Sequence, residues 1–402
     1  MATYPKIGII REGKQPADKR TPFSPEQCLM LLKIYPGLEI VIQPSPHRCI
    51  PDEAYAAAGF ELKEDLGNCD ILMGIKEVPM EELIANKTYF FFSHTIKKQP
   101  HNRPLLREIL KKNITSIDYE MLTWDNGSRL LGFGRYAGIV GMHNGLLAYG
   151  NKTKTYTLKP ANQCRNYAEL LAQYSKMMLP QIRICITGDG RVAHGVLELL
   201  EKLDIREVTP RAYRDDTFDE PVFVHLRSEH YYEHHDSRPW DKSDFYHNPE
   251  DYFSTFKPYT KVTDLFVNGI YWKQGVPVFF TREEMKAESF RIKVIADISC
   301  DIPGSIPSTI KSSSIEEPVY GYHPFTEQAT EPYLQNTIEV MAVGNLPCEL
   351  PFDASIGFGE DLIRSVMPHL FTGGGDEIIQ RATIASGGKL MEKYSYLSDY
   401  VA

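Results

Sequence analysis

Three observations in the sequence predict an α/β protein of two doubly wound, mostly parallel sheets. Short apolar runs alternate with amphipathic stretches from residue 7 to residue 118, a second such alternation begins at residue 182, and an apolar helical stretch at 136–149 joins them. Strand, helix, strand alternation pairs strands in parallel and places helices on both sheet faces.

In the first half the runs at 7–10, 38–42, 71–75, 89–92 and 114–117 read as buried strands. Between them lie helical patterns, Pro25–Ile34 behind a Ser24 cap and Arg103–Lys111. The joining helix is opened by GFGRYAG. The second half runs through a strand at 182–187, a helix at 192–203 and strands at 264–267 and 293–296. A return crossing is expected near 312–324, with a strand at 338–343 and a helix at 352–370 going back to the first domain. The expected division is therefore 1–138 with 325–402, and 139–324 as a Rossmann-like domain, with a cleft between the two. Residues 215–261, rich in His, Tyr and Asp with hardly an aliphatic run, read as a long excursion on the second domain.

With 402 residues the chain exceeds one comfortable core, and 42% hydrophobic with 24% charged residues is ordinary globular composition. A net charge of -9 without a basic run argues against nucleic acid as a partner. The most apolar stretch, 130–149, carries Arg135, His143 and Asn144, so no membrane span is expected. The first apolar run is too short for a signal peptide, which points to the cytoplasm. Seven scattered cysteines without CxxC spacing fit reduced thiols and no structural zinc. His225, His230, His234, His235 and His247 are irregularly spaced, and a solvated face explains them better than a metal site.

The sharpest motif is ICITGDGRVAHGVLELL, with Gly188, Gly190 and Ala193 in GxGxxA spacing between a strand and a helix. Such a turn lets backbone amides and a helix N-terminus approach a pyrophosphate. At the end of the next strand the acid that holds an NAD ribose is missing, and Val208, Thr209, Pro210 and Arg211 stand there. Arg211 favours a 2′-phosphate, hence NADP; equally, it is a solvated loop residue.

Charged groups follow the strands of the first half: Arg11, Lys76, His94, and then Asp118 and Glu120. In an open parallel sheet these positions share the carboxyl edge, where ligands bind. Singly, Lys76 is explained by a surface pair with Glu77, and His94 as a hydrogen-bonded strand-end histidine. With Arg20 and Arg129 they make a cationic pocket suited to a substrate with several carboxylates, and neighbouring positive charge lowers the pKa of Lys76 toward use as a base.

At these residues the chain resembles the lysine-ketoglutarate reductase domain of bifunctional aminoadipic semialdehyde synthases, and more distantly the lysine-forming saccharopine dehydrogenases of the alanine dehydrogenase and transhydrogenase superfamily. IREGKQPADKRTPFSPEQC, GIKEVPMEEL, NKTYFFFSHTIKKQ, IDYEML, NGIYW, ADISCDIPGSI and NLPCELPFDAS carry the resemblance. It implies condensation of lysine with 2-oxoglutarate and reduction of the imine by NADP(H) or NAD(H) to saccharopine. Lys76 and His94 match the family's acid-base pair. Arg20 and Arg129 match carboxylate holders, Lys97 a substrate-side cation and Glu120 an acid beside the amine. Gly188, Gly190, Arg191, Asn268 and Asp297 match the cofactor side, to which the glycine motif adds Ala193 and the strand end without its acid adds Pro210 and Arg211. The end at Ala402 leaves no room for a dehydrogenase half and implies a stand-alone reductase, with a homodimer as its possible assembly. Two other readings stay open: an alanine-dehydrogenase-like or opine-type enzyme using a smaller keto acid, and a non-catalytic nucleotide-binding paralogue.

Overall fold

The apolar runs of the first half become strands because their β-branched and aromatic side chains are buried on both faces of a sheet. The computed structural model describes residues 4–15, 17–371 and 377–402. It divides into two units, Met1–Phe133 with Pro351–Ala402, and Gly134–Leu350.

The first unit contains β1 (Ile7–Ile9), β2 (Ile40–Ile42), β3 (Glu61–Leu62), β4 (Ile71–Met73), β5 (Thr88–Phe91) and β6 (Thr115–Asp118). Its sheet runs in the order Lys389–Leu390, Thr383–Ser386, β6, β5, β4, β1, β2, β3. The six numbered strands are parallel and the last two of the chain antiparallel. The strand order reverses at β1 and β4, the crevice in which such sheets take ligands. Pro25–Ile34 starts at its expected Ser24 cap, which the structure completes as a capping box, Ser24 Oγ accepting from Gln27 N at 3.2 Å and Gln27 Oε1 accepting from Ser24 N at 2.9 Å. Phe358 and Leu362 of the returning helix Pro351–Ser365 share a core with Ile7, Ile9, Phe23 and Leu31.

The second unit contains β7 (Arg183–Thr187), β8 (Arg206–Glu207), β9 (Val222–Leu226), β10 (Tyr232–His234), β11 (Tyr252–Ser254), β12 (Leu265–Asn268), β13 (Val294–Asp297), β14 (Val319–His323), β15 (Gln328–Thr330) and β16 (Ile338–Met341). Its main sheet has the order β15, β14, β16, β13, β12, β7, β9, β8. The helix Gly134–Thr153 opens this unit and crosses the helix Arg191–Lys202 so closely that a Cβ on Gly138 would stand 2.0 Å from the Val192 carbonyl oxygen.

Two expectations are corrected. The return crossing lies at residue 351, not 325, because β16 pairs in parallel with β13 and antiparallel with β14. The buried Glu339 on β16 is also neutralised by Lys152 of the opening helix at 2.8 Å, which ties the strand to its own unit. The stretch 215–261 is not a solvated excursion: it supplies β9 to the sheet and a hairpin, β10 with β11. Aromatic residues do the burying that aliphatic ones do elsewhere, Tyr231, Tyr232, Phe245, Tyr252 and Phe256 forming one core with Phe266 and Phe279. Within this stretch His234 is buried, its Nδ1 accepting from Asp236 N at 2.9 Å. Among the described residues no three His, Cys, Asp or Glu side chains form a metal-holding set, and no helix is long and apolar enough to cross a membrane.

Candidate active site

In the first unit the carboxyl ends of β1, β4, β5 and β6 gather a network of charged side chains. Glu12, just after β1, accepts from the backbone of Ile75 at 2.6 Å and of Lys76 at 2.7 Å, so it fixes the turn that carries Lys76. The Lys76 amine carries no ion pair or hydrogen bond to a described residue. Burial, then the Arg20 charge, lowers its pKa below the ordinary lysine value. The surface pairing of Lys76 with Glu77 does not form. Glu77 instead accepts from His94 Nδ1 at 2.6 Å and from Lys14 Nζ at 2.7 Å. Burial pushes the Glu77 carboxyl up, but those two donors pull it down to about 2, so it stays ionised.

His94 sits just past β5 with φ +52°, a left-handed conformation a β-carbon disfavours, and its ring stacks on Phe92. A carboxylate can only accept, so Nδ1 carries the proton toward Glu77, and in the neutral ring Nε2 keeps the lone pair. Asp118, fully buried at the end of β6, accepts from Ser93 N, Ser93 Oγ and Glu120 N and so ties the β5 and β6 ends together. Glu120 is bridged by two half-exposed cations, Arg129, and Lys97 at 3.2 Å. Burial raises its pKa, and Arg129 with Lys97 more than offsets that, leaving it lowered. Its Oε2 is buried without a hydrogen-bond partner among the described residues.

Arg20 is placed differently from the carboxylate holder of the sequence reading. It is 3% exposed and forked onto Asp18 at 3.0 and 2.6 Å, with its guanidinium 4.1 Å above the Phe133 ring. Arg11, also expected at this edge, pairs with Glu64 at 2.9 Å. The sequence reading missed Glu12 and Glu77. Their signal was present, since each directly adjoins a residue it did single out.

In the second unit Gly188 has φ +114°, and a Cβ there would meet the Gly269 carbonyl oxygen at 2.6 Å. A Cβ on Gly190, the N-cap of Arg191–Lys202, would meet nothing within 4 Å, which leaves open space before the helix N-terminus. Ala193 is fully buried, as close helix packing requires, and Arg191 is exposed. This cradle fits a dinucleotide pyrophosphate. Asn268 and Asp297, at the ends of β12 and β13, are buried in a polar network: the Asn268 amide donates to Asp297, Ser299 and Ser305, and Thr309 donates to Asp297 at 2.6 Å. They shape the edge of the cradle and offer little polar surface of their own.

Pro210 and Arg211 are placed differently from the sequence expectation. The strand hydrogen-bonded beside β7 is β9, and β8, the next in sequence, lies outside it. Thr209 caps the short helix Pro210–Asp215, Pro210 is its first residue, and the Arg211 side chain is 89% exposed and faces Asp215 at 3.7 Å. Pro210 and Arg211 are thus one strand removed from the glycine turn.

A sheet that reverses order at β1 and β4, and a second unit built on a glycine turn between strand and helix, define a class of two-unit, doubly wound α/β proteins. Residues 8–140 match the family described as alanine dehydrogenase/PNT, N-terminal domain. The fold is that of an L-alanine dehydrogenase structure, 14% identical with a TM-score of 0.65, covering 99% of this chain and 100% of that one. The chain is 31% identical to the mouse mitochondrial alpha-aminoadipic semialdehyde synthase over 98% of its own length and 47% of that protein, and so spans about half of it. It is 25% identical to the Schizosaccharomyces pombe saccharopine dehydrogenase [NAD(+), L-lysine-forming], over 89% of this chain and 91% of that one.

Proposed function

We propose that the chain reductively condenses the ε-amine of lysine with the keto group of 2-oxoglutarate to give saccharopine, or runs the reverse oxidation, with NADP(H) or NAD(H). The observation that carries the reading is the placement, after the neighbouring strands β4 and β5, of a partly desolvated Lys76 whose amine has no partner among the described residues and of a His94 oriented by Glu77. The rim of Lys14, Lys97 and Arg129 suits a substrate with several carboxylates. The name of the Schizosaccharomyces pombe relative supplies saccharopine and lysine, and 2-oxoglutarate comes from the family resemblance drawn from the sequence.

In this reaction a base must free the incoming amine, and an acid must expel water from the carbinolamine. Lys76, held neutral more often than an ordinary lysine, takes the ammonium proton. His94 gives and takes a proton at Nε2 while Glu77 stabilises the charged ring. Gly188, Gly190 and Arg191 would hold the pyrophosphate, and the bound reduced nicotinamide supplies the hydride. Lys76→Met and His94→Gln each lower turnover by roughly a hundredfold or more without loss of nucleotide binding.

The test follows nicotinamide absorbance with 2-oxoglutarate or pyruvate crossed with lysine, ornithine and ammonia. The proposal requires turnover with 2-oxoglutarate and lysine. Preference for pyruvate or ammonia would establish the opine-type or alanine-dehydrogenase-like reading instead, and nucleotide binding without any turnover the non-catalytic one.

A further inference from the structure

We propose that Tyr396, Asp399 and Tyr400, far along the chain from β5, are positioning residues for the reaction: they hold the turn 94–98 so that His94 meets Glu77 and Lys97 meets Glu120. The effect on rate rests on the reaction proposed above.

The turn is built against its backbone preferences. His94 and Lys98 both have φ +52°, one on each side of the single helical turn Thr95–Lys97. Left-handed backbone at a residue with a β-carbon persists only where its surroundings hold it. On the strand side Asp118 holds Ser93, whose Oγ lies 2.8 Å from Thr95 Oγ1 and accepts from Thr95 N at 3.3 Å. That network reaches residue 95.

From residue 96 onward the C-terminal segment supplies the contacts. Tyr396 Oη donates to the Ile96 carbonyl oxygen at 3.3 Å, and Tyr400 Oη to that of Gln99 at 2.5 Å. Lys98, the second left-handed residue, donates from Nζ to both carboxylate oxygens of Asp399 at 2.7 and 3.0 Å, and the same ammonium lies 5.7 Å from the centre of the Tyr396 ring. Beneath them Ile96 packs against the cluster of Leu106, Tyr394, Leu397 and Tyr400. The segment is itself moored to the helix Arg103–Lys111, where Arg107 Nε donates to the Val401 carbonyl oxygen at 3.0 Å.

Three side chains thus fix residues 96, 98 and 99, which follow His94 and bracket Lys97. Their weights differ. Tyr400 is buried, so its bond to Gln99 is partly shielded from water, whereas the Lys98–Asp399 pair is exposed and screened. Rotation of the turn would take His94 Nδ1 away from the Glu77 carboxylate, and with it the reason for the ring to carry its proton there. The tautomer of the neutral His94 ring therefore reports the state of the turn.

The test compares the wild type with Tyr400→Phe, Asp399→Asn and the triple variant Tyr396→Phe/Asp399→Asn/Tyr400→Phe, which removes the polar contacts and keeps the apolar side chains. Turnover is followed by nicotinamide absorbance with lysine and 2-oxoglutarate. The tautomer is read from nitrogen-15 spectra of histidine-labelled protein at a pH where the ring is neutral, the signal being assigned with His94→Gln. The proposal predicts a kcat lower by about threefold in Tyr400→Phe, about twofold or less in Asp399→Asn and about tenfold or more in the triple variant. The share of Nδ1-protonated His94 falls in the same order, and dinucleotide dissociation constants stay unchanged. If either kcat or the tautomer keeps its wild-type value in the triple variant, the proposal is overturned, however far the melting temperature falls. A wild type that binds dinucleotide without turning over these substrates would refute the reaction instead, and the tautomer series alone would then decide whether the segment holds the turn.

Discussion

Replacing Arg20 by alanine distinguishes a structural cation from a substrate-binding one. The guanidinium is 3% exposed and makes two side-chain hydrogen bonds to an equally buried Asp18 while covering the Phe133 ring. Arg20→Ala leaves the Asp18 carboxylate buried without its guanidinium. Breaking one partner of a buried pair in this way costs about 3 to 5 kcal/mol. For a unit of this size each kcal/mol moves the midpoint by roughly 2 to 4 °C, so the first unit's transition falls by about 6 to 20 °C. Differential scanning calorimetry resolves it, and the double variant Asp18→Asn/Arg20→Met, which removes both charges and keeps contact with Phe133, recovers most of the loss. An unchanged melting profile in Arg20→Ala, together with a raised KM for the keto acid, would refute this reasoning and restore Arg20 as a carboxylate holder.

Glu12 gives a pH test: burial, then the Asp18 charge, raises its pKa from the ordinary 4.5 to about 8. Its contribution to stability is full below 4.5 and is lost as pH rises toward 8, so Glu12→Gln gains on the wild type across that window in urea titrations. Glu77 has the opposite sign: held at about 2, it contributes above 4.5 and loses that contribution as pH falls from 4.5 to 2, so the stability gap between wild type and Glu77→Gln narrows in that range. Glu77→Gln also lowers turnover by removing the negative charge that stabilises the protonated His94 ring, with nucleotide affinity unchanged. Gly138→Ala drives a methyl into the Val192 carbonyl oxygen at 2.0 Å, which lowers stability by about 1 to 3 kcal/mol or more in a thermal melt.

What the sequence made legible was what local physics decides. The Ser24 cap, the glycine turn and the strands carrying Lys76 and His94 follow from residues close together in the chain, and the structure keeps them. Strand partnership was not legible, because an apolar run such as 338–343 fits the interior of either sheet and only pairing with β13 and β14 decides. The same non-locality misplaced Pro210 and Arg211 relative to the glycine turn. The reading assumed that the strand after the glycine helix lies beside β7, whereas β8 has two exposed residues and β9, hidden among histidines and tyrosines, takes that place. Side-chain partnership fell between these cases. Asp18 and Glu77 stand next to residues that were singled out, yet which acid pairs with which base depends on how the loops fold over the carboxyl edge.

The central claim, that hydride passes to an imine of lysine and 2-oxoglutarate, is tested most directly by the mass of the product formed with reduced nicotinamide deuterated at C4. The account predicts saccharopine one mass unit heavier than with unlabelled cofactor when the transferred face carries the label, and no such product from Lys76→Met beyond a trace. Formation of a deuterated amino acid without the condensed product, or cofactor oxidation that leaves lysine unconsumed, would contradict it.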